Sequence, residues 1–134
     1  MAGKTILIAD GDRFFVMRLR KLLTGAGHRV IHAYNGNDAV QRFQRSQVDL
    51  VIVDIVMPGQ GGYETIRQLK AGSPDLKIIV ASSVKRDEYF EIARMLGASA
   101  AFRKPRSEDD PLPAQEWLET VDRLLSSAIN GGER

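Results

Sequence analysis

Cysteine is absent from the 134 residues. That excludes a disulfide framework, a thiolate metal site and a cysteine nucleophile, and it makes an intracellular, cytoplasmic protein the simple expectation. No apolar run approaches the roughly 20 residues that a membrane helix needs. The N-terminus, Met1-Ala2-Gly3-Lys4, leads into a strand pattern rather than a signal peptide, so no membrane partner is expected. Charge of one sign is lacking too: the formal net charge is +2. The basic run Arg18-Leu19-Arg20-Lys21 fits the solvated face of a helix, and no direct nucleic-acid role is expected of it. Histidine is scarce, and His28 and His32 read as surface residues rather than ligands. Neither a Gly-x-Gly-x-x-Gly pattern nor a Walker lysine loop follows any strand-like run. Gly59-Gln60-Gly61-Gly62 matches neither, which leaves nucleotide binding a weak competitor.

What is present centres on Asp49-Leu50-Val51-Ile52-Val53-Asp54. Four consecutive apolar residues, three of them β-branched, describe a strand buried on both faces, as in parallel sheets covered by helices. An aspartate ending such a strand often caps the next helix. Here Met57-Pro58-Gly59 follows and is loop chemistry, so capping explains Asp54 poorly. Ligands of open α/β sheets bind outside the carboxyl ends of the strands, which is where Asp54 stands.

The same pattern recurs along the chain. Thr5 to Ala9 is a strand that exits into Asp10, Gly11 and Asp12. Residues 13–24 carry Phe15, Leu19, Leu22 and Leu23 at helical spacing, with Asp12 as a plausible N-cap. Arg29 to Ala33 reads as a strand, Asn35-Gly36 as a turn, and Ala39, Val40 and Phe43 as the inner face of a helix. Residues 63–70 predict a helix with Ile66 and Leu69 inward, and Lys77 to Ala81 a strand ending in Ser82-Ser83. Residues 86–96 predict a helix burying Phe90, Ile92, Ala93 and Leu96, capped by Gly97. Ala100 to Arg103 forms a fifth strand running into Lys104-Pro105. A final helix over 114–129 packs Trp117, Leu118, Val121, Leu124 and Leu125, with Trp117 as core rather than a stacking platform. Residues 130–134 are expected to fray. Five strands alternating with five helices imply one domain over 1–134, a doubly wound parallel sheet between two helical layers.

That topology gathers Asp10, Asp12, Asp54, Ser82 and Lys104 at one edge. Carboxylates from two strand ends suit Mg2+, which takes oxygen ligands from carboxylates, carbonyls and water. With a hydroxyl and an ammonium opposite, the set is poor for hydride or acyl transfer and suits phosphoryl transfer onto Asp54. Unit charges about 4 Å apart interact by about 4 kcal/mol at an effective dielectric near 20, so a cation and Lys104 must offset the repulsion between phosphoryl group and acids. The competing readings are strand-end polar residues satisfied by water, and a small hydrolytic α/β enzyme.

Ile6-Leu7-Ile8-Ala9-Asp10, Asp49 to Pro58, Ser82, Gly97-Ala98 and Lys104-Pro105, in this order and at about this spacing, resemble the receiver domain of response regulators in two-component signalling. The resemblance covers about the whole chain. It implies the flavodoxin-like (βα)5 fold with strand order 2-1-3-4-5. It also implies a phosphoprotein switch rather than an enzyme, with Asp54 accepting a phosphoryl group from a sensor histidine kinase or phosphotransfer protein. Asp10 resembles the first acid of the Mg2+-organising pair, and Val56 the residue that lends a backbone carbonyl to the metal. Ser82 resembles the switch hydroxyl and Lys104 the family's cation, with a cis bond to Pro105. Ser83 resembles the position that shapes access to the phosphoryl group. Helix one would dock the kinase, and the fourth helix, fifth strand and last helix would face a downstream target.

Two positions depart from the family pattern. Gly11 stands where a second acid is usual, which leaves Asp12 either a substitute ligand or simply the helix cap. Ala101 stands where the family places an aromatic rotor, and strand alternation turns the neighbouring Phe102 to the opposite face. These departures keep a second reading open, a pseudo-receiver that binds protein partners without phosphorylation.

Overall fold

Short runs rich in valine, isoleucine and leucine gain most by burial on both faces of a sheet, and the chain folds accordingly. The computed structural model describes residues 3–132. In chain order the elements are β1 (Thr5–Ala9), α1 (Arg13–Gly25), β2 (Arg29–Ala33), α2 (Gly36–Arg45), β3 (Leu50–Val53), α3 (Gly62–Gly72), β4 (Lys77–Ser82), α4 (Asp87–Met95), β5 (Ala100–Arg103) and α5 (Ala114–Gly132). The five strands form one parallel sheet in the order β2-β1-β3-β4-β5. This is the flavodoxin-like (βα)5 architecture, with β1 and β3 side by side at its centre.

Alternation along each strand sorts the core into two layers. Leu7, Ala9, Val51, Val53, Ile78 and Val80 face Ala39 of α2, Ile66 and Leu69 of α3, and Phe90 and Ala93 of α4. Ile6, Ile8, Leu50, Ile52, Ile79 and Ala81 face Phe15, Val16, Leu19 and Leu23 of α1 and Trp117, Val121, Leu124 and Leu125 of α5. Trp117 is fully buried and stacks on Phe102 at 4.1 Å, so the tryptophan is core and Phe102 points to the α1/α5 side. Ala101 packs on the other layer.

Three expectations need correction. Ile92 is exposed rather than buried. α4 is nine residues long and its inward stripe is Phe90 and Ala93, and a residue two positions from Phe90 lies about 200° around the helix at 3.6 residues per turn. α5 extends through Gly132 instead of fraying from residue 130, while residues 133–134 lie outside the described residues. A helix anchored by a buried tryptophan, valine and two leucines propagates past a glycine, whose cost is about 1 kcal/mol. β4 also runs one residue further, to Ser82.

Gly62 opens α3 where the helix touches the exit of β3. A Cβ there would lie 2.2 Å from the carbonyl oxygen of Asp54 and 2.7 Å from the Cα of Ile55. Backbone cannot yield as a flexible side chain can, so Gly62→Ala is expected to lower the unfolding free energy by about 1–3 kcal/mol, the range for an overpacked site. Urea unfolding measures this, and an unchanged midpoint would contradict the close approach.

Candidate functional site

At the carboxyl edge of the sheet, the ladder of backbone hydrogen bonds runs one residue past the strands and fixes each polar side chain. The Asp10 N–H donates to the carbonyl of Ala33 at 3.0 Å, the Asp54 N–H to Ala9 at 2.9 Å, and the Lys104 N–H to Ser82 at 3.0 Å. The residues that sequence alone placed at one edge are thus held by neighbouring strands. Lys104 reaches from the end of β5 to both buried acids. Its Nζ donates to Asp10 Oδ1 and Oδ2 at 3.0 and 2.9 Å and to Asp54 Oδ2 at 3.4 Å. Asp12 Oδ2 lies 3.6 Å from the same ammonium, and the ammonium stands 4.9 Å over the ring of Phe15.

Asp10 and Asp54 are both buried, at 1% and 7% relative exposure. Burial, followed by the charge of Asp54, pushes the Asp10 carboxyl up to about 6, although Lys104 and the Asp12 N–H act against the rise. Burial alone would lower the Lys104 ammonium, but the charges of Asp10 and Asp54 outweigh it and the net movement is upward. The pocket holds three carboxylates within 4 Å of one ammonium. Val56 is exposed, and its N–H donates to Asp54 Oδ1 at 3.3 Å. Ser82 is fully buried, and its Oγ has no hydrogen-bond partner among the described residues.

Of the two roles left open for Asp12, the helix cap is the one observed. Its Oδ1 caps α1 by accepting from the N–H groups of Phe14 and Phe15 at 3.1 and 3.2 Å, while its second oxygen faces Lys104. Capping does not account for Asp54, since the residue capping α3 is Gly61. The bond to Pro105 is trans, which corrects the expected cis form. The trans preference before proline is only about 0.5–1 kcal/mol, and Lys104 makes all its contacts with the trans bond. The histidines are half-buried rather than on the surface. His28 Nδ1 accepts from the Lys4 N–H at 3.3 Å, and His32 Nε2 meets the carbonyl oxygen of Asp10 at 2.8 Å.

The surroundings of the site include a cavity of about 750 Å³ between the β4–α4 and β5–α5 loops, where Ser82 and Ser83 meet Lys85 and Arg106. A smaller cavity of about 350 Å³ lies beside Ala101, between α4 and β5. Arg18 of α1 donates to the Asp110 carbonyl at 2.8 Å and so pins the β5–α5 loop. Among the described residues no three His, Asp or Glu side chains converge into a metal cage. The available donors nonetheless fit a hard divalent cation, with two buried carboxylates facing one ammonium. Backbone oxygen and water would complete such a shell.

Fold and pocket together define a receiver-type α/β domain, with an acid pair and a lysine at the carboxyl ends of its strands. The family model for the response regulator receiver domain matches residues 6–114. The chain belongs to that family, whose members are signalling switches of two-component systems. It is 35% identical over 104 residues to the chemotaxis protein CheY of Thermotoga maritima, covering 77% of this chain and 87% of that one. It is 39% identical over 127 residues to the DNA-binding transcriptional regulator NtrC of Azospirillum brasilense, covering 95% of this chain but 25% of that protein. A CheY-like receiver domain protein from Methanospirillum hungatei superposes with a TM-score of 0.86 at 22% identity, covering 97% of this chain and 99% of that one, a likeness of fold. Among the described residues no helix is long and apolar enough to cross a membrane.

The upward displacement of Asp10 has a testable sign. Its folded value, about 6, lies above the ordinary 3.8, so the folded state takes up this proton before the unfolded chain does. Stability contributed by Asp10 therefore rises as pH falls from above 6 toward 4, by on the order of 2–3 kcal/mol. Asp10→Asn is expected to raise the urea midpoint at pH 7.5 and to flatten this pH dependence. An Asn variant less stable than the wild type would show that the charge is compensated.

Proposed function

We propose that the chain is a phosphorylation switch in which Asp54 is the phosphoacceptor. The observation that carries this reading is the convergence of Asp54, Asp10 and Lys104, with the buried Ser82 bonded through its carbonyl to the Lys104 N–H. A carboxylate oxygen of Asp54 attacks the phosphorus of a phosphohistidine on a sensor kinase or phosphotransfer protein. The O–P bond forms as the P–N bond breaks, and the imidazole leaves with a proton. Lys104, already within reach of Asp54, takes up charge on the phosphoryl oxygens, as positioned cations do in phosphoryl transfer. Mg2+, which receivers of this family generally bind at the acidic pocket, would be held by Asp10, Asp54, the Val56 carbonyl and Asp12 or water. When bound it would supply charge neutralisation at the same oxygens. Ser82 supplies an O–H donor to the phosphorylated state, and Ser83 on the cavity wall shapes access.

Movement of Ser82 would carry the β4–α4 loop and bias α4, β5 and α5 between two surface arrangements. Tyr89, Ile92 and Met95 of α4 are exposed and give that face an apolar patch for a downstream protein. Phe14 and Met17, exposed on α1 beside the pocket, give the phosphodonor a docking surface. Gly11, Ala101 and the lack of a three-acid metal cage among the described residues favour a second reading, the pseudo-receiver that binds partners without phosphorylation.

One experiment separates the two. Incubation with Mg2+ and a small acyl phosphate is expected to give a hydroxylamine-sensitive adduct by mass spectrometry, absent from Asp54→Asn. No adduct, together with no response to beryllofluoride or to a histidine-phosphorylated donor, would establish the pseudo-receiver. A Cβ at Gly11 would meet nothing closer than the Tyr34 carbonyl oxygen at 3.4 Å, so an acid fits there. Gly11→Asp is expected to tighten Mg2+ binding about tenfold by calorimetry, in line with the weight of added ligand charge. Unchanged affinity would assign the missing carboxylate to Asp12.

A further inference from the structure

We propose that His32 is the positioning residue for the acid loop 10–12, holding the Asp10 backbone so that its carboxylate keeps its aim on the metal side of the pocket. The inference rests on the role given above to Asp10. His32 lies on the edge strand β2, in register with Ile8 of β1. From there its ring reaches two residues along the neighbouring chain to the Asp10 carbonyl, 2.8 Å away. A carbonyl oxygen can only accept, so Nε2 carries the hydrogen and the imidazole donates.

The ring is itself held in place. Tyr34 packs against it with centroids 4.1 Å apart at 58°, and the Arg13 guanidinium lies 5.1 Å over the Tyr34 ring. A column of Arg13, Tyr34 and His32 thus runs from the first turn of α1 to the end of β2, flanking the acid loop. Asp10 is secured through its N–H on Ala33, its carbonyl by His32, and its carboxylate by the Asp12 N–H at 2.8 Å and the Lys104 ammonium.

The need for this restraint comes from Gly11. It does not have the positive φ that requires glycine, and a Cβ would find ordinary contacts at 3.4 and 3.8 Å. Neither strain nor crowding explains a glycine here, and its presence leaves the turn between two acids with the greatest backbone freedom of any residue. The hydrogen bond from His32 restricts that freedom from the side. A partner that orients a metal-binding residue in this manner typically contributes 10- to 100-fold in metal affinity.

Two substitutions separate the hydrogen bond from the ring. His32→Phe keeps the packing on Tyr34 and removes the donor, whereas His32→Gln returns an N–H near the position of Nε2. In the metal-free protein, amide hydrogen exchange at Asp12 is expected to quicken in His32→Phe and to return toward wild type in His32→Gln. Calorimetry with Mg2+ is expected to show about tenfold weaker binding in the first variant and near-native binding in the second. Imidazole nitrogen shifts of the wild type should report the hydrogen on Nε2. Exchange and affinity in His32→Phe equal to wild type would overturn the proposal, as would a Gln variant no better than Phe. Faster Asp12 exchange in a protein whose wild type binds no Mg2+ would support the positioning role while removing the phosphorylation reading beneath it.

Discussion

The structure at the carboxyl edge depends on one ammonium group. Lys104 stands among three carboxylates, and the two buried ones, Asp10 and Asp54, are each fixed to a neighbouring strand by their own N–H. Without the lysine, two like charges would be confined in a low-dielectric pocket with only water to separate them. With it, the pocket still sets three carboxylates against one ammonium. The sheet order therefore sets up an electrostatic demand that the last strand only partly meets. Removing the lysine would leave the buried acids uncompensated, which is far costlier than the net contribution of the arrangement to stability.

Much of this was legible in the amino-acid order. Strands buried on both faces announce themselves as unbroken β-branched runs, and the residue that ends such a run must stand at the sheet edge. Asp10, Asp54, Ser82 and Lys104 could be gathered on that reasoning alone, and the ordered motif set pointed to the family that residues 6–114 match. Asp12 was legible as a cap because capping is local chemistry.

Other parts depend on contacts between segments far apart in sequence, which periodicity does not record. His32 read as a surface residue because nothing in Arg29–Ala33 shows that the ring turns toward the carbonyl of Asp10, just past β1. Phe15 read as core, which it is, but its second contact with the Lys104 ammonium needed the packed helix. The exposure of Ile92 follows from its place on the helix, on the side away from Phe90 and Ala93. Gly62 gave no local signal of how closely it approaches the Asp54 backbone.

The bond from Arg18 to the Asp110 carbonyl joins residues 92 positions apart in sequence. It fastens the middle of α1 to the loop that begins at Lys104-Pro105. Asp110 is braced within that loop as well, since its carboxylate accepts from the Arg106 N–H at 2.9 Å and its own N–H donates to Ser107 at 3.2 Å. The loop that carries Lys104 out of the sheet is thus tied to α1 at a point six residues beyond the lysine, by a contact that involves none of the pocket's own acids.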